Sequence, residues 1–238
     1  MLGYYYGFDM TYIVLVLPCV LFAVFASAKV NSTFKKYSSQ LSSRRITGAQ
    51  AAFRVLRYNG ITDVRIERIS GNLTDHYDPK TNVIRLSDSV YDSTSTAAIG
   101  VACHEAGHAV QYAASYAPIH LRAAIIPITN IGSKLAMPLI LIGILLNALS
   151  DVSMFFVYAG IACFGFSVVF QLITLPVEFN ASRRAMAAIS DTEILTQEEQ
   201  RGARKTLSAA AMTYVAALAV SLAQLLRLIL IFTGKRDD

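Results

Sequence analysis

Charge is scarce in this chain, and that scarcity is the first constraint on its fold. Only 16% of its 238 residues are Asp, Glu, Lys or Arg, while 54% are hydrophobic and the mean hydropathy is +0.46; an ordinary soluble domain has about a quarter charged residues. A purely soluble globule is excluded. Cysteine is equally sparse: Cys19, Cys103 and Cys163 form no CxxC pair, which excludes a disulfide framework. No internal repeat or low-complexity linker is present. The net charge of +5 comes without a basic patch interleaved with aromatics, so nothing points to a nucleic-acid partner. Residues 1–9 have no lysine or arginine, but they contain Asp9 and the run Tyr4, Tyr5, Tyr6. A cleaved signal peptide needs a basic n-region, so Ala26-Ser27-Ala28 is read as part of a retained anchor and the tyrosines as an interfacial belt.

Long apolar runs are what the chain has instead. Met10 to Ala28, Met154 to Leu175 and Ala209 to Phe232 are each long enough to cross about 30 Å of hydrocarbon. A fourth run, residues 131–149, carries Lys134, which can snorkel, and Pro138, which a membrane helix tolerates. Lys29, Lys35, Lys36, Arg44 and Arg45 follow the first span, and Arg183, Arg184, Arg201, Arg204 and Lys205 follow the third. The excess of basic residues predicts that residues 29–122 and 176–208 are cytoplasmic, with the N-terminus outside and Lys235 and Arg236 as the only outer basic residues. Gln171, Gln224 and Arg227 are the only strong candidates inside the spans for a transporter's ion pathway, and Arg227 is near enough to the end of its span to snorkel.

Between the first span and residue 122 lies a compact polar segment. Thr47 is placed to cap a helix running through Arg57 and Tyr58 and closed by Gly60. Alternation around Val64 and Ile66, then Leu73 to Tyr77, a turn at Asp78 to Asn82, and Val83 to Leu86 predict a small hairpin sheet. The last of these strands is read as an edge to which an extended peptide adds. Ser93, Ser95 or Thr96 caps the next helix, which is expected to run to about Ser115, before Pro118. The polar run Asp191 to Arg204 reads as a solvated helix start.

That capped helix carries His104-Glu105-Ala106-Gly107-His108. One turn separates the two imidazoles, so they share a face, and each can bind a zinc ion at about 2.0–2.1 Å with Glu105 beside the metal-bound water as a general base. Val101-Ala102-Cys103 before the motif and Ala109-Val110 after it supply an apolar setting. Cys103 points about 100° away from His104 and is read as a core residue. A third ligand is needed. Six residues after His108 stands Ala114, so it does not come from a continuation of the motif. Glu178, beyond the third span in Leu175-Pro176-Val177-Glu178-Phe179-Asn180-Ala181-Ser182, is the best-placed carboxylate; the alternatives are a helix-start role for Glu178 after Pro176, or His76 or His120 as the ligand.

HEAGH, the stretch Gly71-Asn72-Leu73-Thr74-Asp75-His76-Tyr77-Asp78-Pro79, the Leu86-Ser87 to Val90-Tyr91 stretch and Glu178-Phe179-Asn180-Ala181-Ser182 together resemble the YugP-like neutral zinc metallopeptidases, relatives of the HtpX-type membrane gluzincins. The resemblance covers nearly the whole chain. It implies His104, His108 and Glu178 as ligands of one zinc ion per chain and Glu105 as the catalytic base. Two positions depart from the pattern: Ser182 stands where the HtpX type has Asp, and Asn180 where the YugP-like pattern has Asp. Both are positions from which a side chain would orient a histidine ligand, so weakened zinc binding is expected. His76, Tyr77 and Arg85 are the candidates for oxyanion or substrate contacts.

The expected fold is a mainly α integral membrane protein with about four transmembrane helices and a small cytoplasmic zincin-like α+β segment carrying the HExxH helix. Its expected parts are an anchor at 1–28, a cytoplasmic metallopeptidase segment at 29–122, two transmembrane helices at 123–175, a cytoplasmic segment with the third ligand at 176–208, and a last transmembrane helix and tail at 209–238. The expected activity is hydrolysis of peptide bonds in membrane or cytoplasmic proteins, in protein quality control. Expected partners are the lipid bilayer, a protein or peptide substrate, and further copies of the chain or other membrane proteins. A zinc-binding scaffold without catalysis is the alternative.

Overall fold

The computed structural model describes residues 10–146 and 152–233. The readings made for Tyr4 to Tyr6, Asp9, Lys235, Arg236 and the last residues of the 131–149 run lie outside them. A π-helical turn, Tyr12–Val16, leads into α1, Leu17–Ser38; then follow α2, Gly48–Tyr58, β1, Arg65–Ile69, β2, His76–Asp78, β3, Val83–Ser87, and α3, Thr96–Ala113. Three long helices complete the chain: α4, Ala117–Leu146, α5, Ser153–Asp191, and α6, Gln197–Thr233. Among the described residues, four helices are long and apolar enough to cross a membrane: Tyr12–Ser38, α4, α5 and α6. The molecule is a mainly α membrane protein with one small sheet.

These helices outrun the apolar stretches read from the sequence. α4 begins at Ala117 rather than near residue 131, because Pro118 falls in its first turn, where a missing N–H costs nothing. Pro127 and Pro138 lie inside it, as membrane helices permit. Likewise Pro176 lies inside α5, so Glu178 is not a helix-start residue and that reading is withdrawn.

Two compact units divide the chain. One comprises Met1–Phe25, Leu121–Leu175 and Tyr214–Asp238. Its packing uses small residues: a Cβ added at Gly160 of α5 would lie 2.7 Å from the Ala136 carbonyl oxygen of α4. Helix association in lipid depends on such close backbone approach, since burying apolar area there gives no hydrophobic gain.

The other unit comprises Ala26–His120 and Pro176–Thr213. Its α2 starts in a capping box: the Thr47 hydroxyl accepts from Gln50 N–H and the Gln50 side chain accepts from Thr47 N–H. Helical spacing then buries Ala51, Ala52, Val55 and Leu56 against α3 and leaves Phe53 and Arg54 outside. The sheet order is β1-β3-β2, with β1 parallel and β2 antiparallel to β3. β3 is therefore central, and Val83 to Leu86 offers no free edge. The reason is readable afterwards: Val83, Ile84, Leu86 and Ser87 are all buried, a pattern of a strand covered on both sides. The exposed edge beside α3 belongs to β2 instead. Leu56, Ile84, Leu86, Ile99, Ala102, Cys103, Ile189 and Leu195 meet in one core. α6 begins with a second box, in which Thr196 N–H donates to Glu199; the same carboxylate accepts from Ser43 N–H at 2.7 Å. Glu199 is thus buried in a polar joint, and the reading of the 191–204 run as wholly solvated is corrected there.

Candidate metal centre

α3 is capped by Ser95, whose hydroxyl accepts from Ala98 N–H at 3.2 Å, and most of its residues are buried. It carries His104, Glu105 and His108, and α5 carries Glu178 opposite them. Gly107 lets the two helices meet: a Cβ there would lie 2.6 Å from the Ala181 carbonyl oxygen. With any other residue α3 would be held away from α5, and the Glu178 carboxylate would be drawn away from the imidazoles.

His104 Nε2 lies 3.2 Å and His108 Nε2 3.5 Å from Glu178 Oε2, and all three ligand atoms fall within 4.8 Å of one another. Ligands bound tetrahedrally at about 2.0–2.1 Å stand about 3.3 Å apart, so the donor set fits a zinc ion in its chemistry and in the distance of each imidazole from Glu178. Each imidazole spends its other nitrogen on the protein. His104 Nδ1 is 3.1 Å from Ser182 Oγ, and His108 Nδ1 is 3.0 Å from Gln111 Oε1. Glu178 is 3% exposed and Glu105 8%; a carboxylate that deep requires a cation or donors to compensate it. Burial disfavours the His108 imidazolium, but the hydrogen bond it donates to Glu178 and the nearby charges of Glu105 and Glu178 outweigh it and raise the His108 pKa when no metal is bound.

Beyond His108 the Gln111 amide is fully buried; its Nε2 donates to the Val177 carbonyl at 2.8 Å and to Asn180 Oδ1 at 3.0 Å. Asn180 Oδ1 also accepts from Arg184 Nε at 2.8 Å. The sequence reading singled out Asn180 and Ser182 but passed over Gln111. Its signal was available: three residues after His108, a helical side chain shares that histidine's face. Asp75 was passed over as well. Its carboxylate accepts from Ser87 N–H at 2.7 Å and from Ser87 Oγ at 3.0 Å, and burial, together with the charge of Glu105, raises its pKa against the pull of those bonds.

The remaining candidates have partners of their own. His76 is exposed, with Nδ1 2.9 Å from the Thr74 carbonyl. Arg85 is occupied by Asp78 at 3.1 Å. Tyr77 packs on Tyr112 at 5.7 Å between ring centroids, and its hydroxyl donates to Asn82; His120 stands edge-on to the other part of the row, 5.1 Å from Tyr112. Cys103 lies in the core, where burial pushes its thiol pKa up and keeps it protonated.

Residues 12–233 match the family described as "Putative neutral zinc metallopeptidase". The chain is also 46% identical over 229 residues, 96% of its own length and 100% of the relative's, to "Putative membrane protease YugP" of Bacillus subtilis (strain 168). No solved structure matches it. With a family match spanning nearly all of its described residues, the chain belongs to this neutral zinc metallopeptidase family.

Proposed function

We propose that the chain is a membrane-embedded zinc metalloendopeptidase of the gluzincin type, with one zinc ion per chain held by His104, His108 and Glu178. The observation that carries this reading is the meeting of His104, His108 and Glu178, with ligand atoms all within 4.8 Å of one another and the two histidines on the helix that also carries the buried Glu105. A zinc ion bound there supplies a Lewis acid that polarises the scissile carbonyl and makes water acidic enough to attack it near neutral pH. Glu105 takes the proton from the attacking water and delivers it to the amide nitrogen as the C–N bond breaks, leaving a carboxylic acid and an amine. Ser182 and Gln111 hold the two imidazoles by Nδ1, so each presents Nε2. An extended substrate adds to the free edge of β2, running antiparallel to it, a mode that lets alternate side chains face α3.

The distribution of basic residues supports cytoplasmic placement of residues 29–122 and 176–208, between an outside N-terminus and the last span. The parts at 1–28, 29–122, 123–175, 176–208 and 209–238 follow from that orientation. Substrates are then membrane proteins or cytoplasmic proteins at the bilayer, as quality control requires, and self-association or association with other membrane proteins fits an enzyme of that kind. Purified protein and its Glu105→Gln form, incubated with denatured membrane proteins with and without chelator, test the activity. Cleavage by the native form alone, abolished by chelator, is expected; zinc binding with no cleavage in either form would instead indicate a scaffold.

A further inference from the structure

The two histidines are held by unlike partners. A serine hydroxyl both donates and accepts, so Ser182 leaves the proton of His104 free to sit on either nitrogen. Gln111 does not leave His108 that freedom, and the restriction can be followed from a group whose polarity is fixed. A guanidinium only donates. Arg184 Nε at 2.8 Å therefore requires the oxygen of the Asn180 amide to face it, and the same Oδ1 lies 3.0 Å from the Gln111 amide. An oxygen there must meet the Gln111 NH2 group; the Val177 carbonyl, 2.8 Å from the same nitrogen, only accepts and demands the same orientation. Both hydrogens of that NH2 are now used. Gln111 Oε1 is left to face His108 Nδ1 at 3.0 Å and can only accept from it.

We propose that Arg184, Asn180 and Gln111 form a positioning relay of fixed polarity that locks His108 as the Nδ1–H tautomer and turns its Nε2 lone pair toward the metal. The proposal rests on the reading of His104, His108 and Glu178 as the zinc ligands and adds three positioning residues to it. The aromatic ring of Tyr116, 6.0 Å from the Arg184 guanidinium, holds its far end by a cation–π contact.

Zinc retention by the purified full chain in detergent, titrated against a chelator of known affinity, is the test, with monodispersity and helical content checked for each variant. Gln111→Leu is expected to weaken retention roughly 10–100-fold, and Arg184→Met and Asn180→Leu roughly three- to tenfold. Arg184→Lys still only donates and Asn180→Asp still accepts, so both should retain zinc within about twofold of the native chain. In the zinc-free native protein, at an alkaline pH where His108 is neutral, histidine-selective 15N spectra should show the His108 proton on Nδ1. Native retention by Arg184→Met and Gln111→Leu, equal loss in Arg184→Lys and Arg184→Met, or an Nε2 proton on His108 would each overturn the relay. His108→Ala separates the two failures: if it keeps the zinc, the ligand assignment itself has failed.

Discussion

Gly160 and Gly107 do the same thing in different units of the molecule. In the first unit Gly160 brings α5 against α4, where it meets the Ala136 carbonyl and the Ile140 side chain and serves packing. In the second, Gly107 brings α3 against α5, and what meets there is the Glu178 carboxylate of α5, the two imidazoles of α3 and the amide chain behind His108. An equally tight approach therefore has different consequences: one crossing holds a helix pair together, and the other buries a carboxylate that needs a cation or hydrogen-bond donors to compensate it.

The most severe break leaves both crossings in place. Glu105→Gln should cut peptide hydrolysis roughly 10²–10⁴-fold while zinc content is unchanged, because only the proton carrier is lost; assay of cleavage beside metal analysis checks both halves. Gly107→Ala comes next. Its methyl group would meet the Ala181 carbonyl, so α3 must shift, and zinc affinity should fall by tenfold or more in chelator competition. Gly160→Ala sharpens the contrast: overpacking of roughly 1–3 kcal/mol should lower thermal stability in detergent, yet the zinc affinity of the folded fraction should match the native value.

A smaller effect follows from pH. Glu178 and Glu105 raise the His108 pKa in the metal-free cluster, so protons compete for Nε2 at a higher pH than an ordinary imidazole of about 6.5 would allow. Apparent zinc affinity should be full above the raised pKa and begin to fall as the pH drops through it. Zinc titrations from pH 9 to pH 5 would show the onset above that of a free histidine ligand; an onset well below pH 6 would contradict the coupling. The smallest effect concerns topology, since added cysteines should not disturb activity. In a cysteine-free background, cysteines at Ser39 and Glu198 should resist impermeant thiol reagents in intact cells, and one at Gly3 should react. Labelling at Ser39 would place residues 29–122 outside.

Much of this was legible because it depends on local pattern. The apolar runs that became α1, α4, α5 and α6, the caps at Thr47 and Ser95, and the spacing of His104 and His108 all follow from periodicity or from a few adjacent residues. Three features were not, each requiring knowledge of what lies across a contact. β3 was expected at an edge because a short apolar strand looks alike whether one partner covers it or two. Pro176 suggested a helix start, although a long membrane helix absorbs a proline. Gln111 was passed over because its role depends on Asn180, 69 residues away in sequence.

The central claim is that ligands from two helices, α3 and α5, meet at one metal ion, and zinc content tests it most directly. Purified native protein and Glu105→Gln should each hold about one zinc per chain, removed by chelator, whereas Glu178→Ala, checked for folding by its helical content, should hold little. A folded Glu178→Ala protein with full zinc occupancy would contradict the account, and the third ligand would have to be sought elsewhere, beginning with His76.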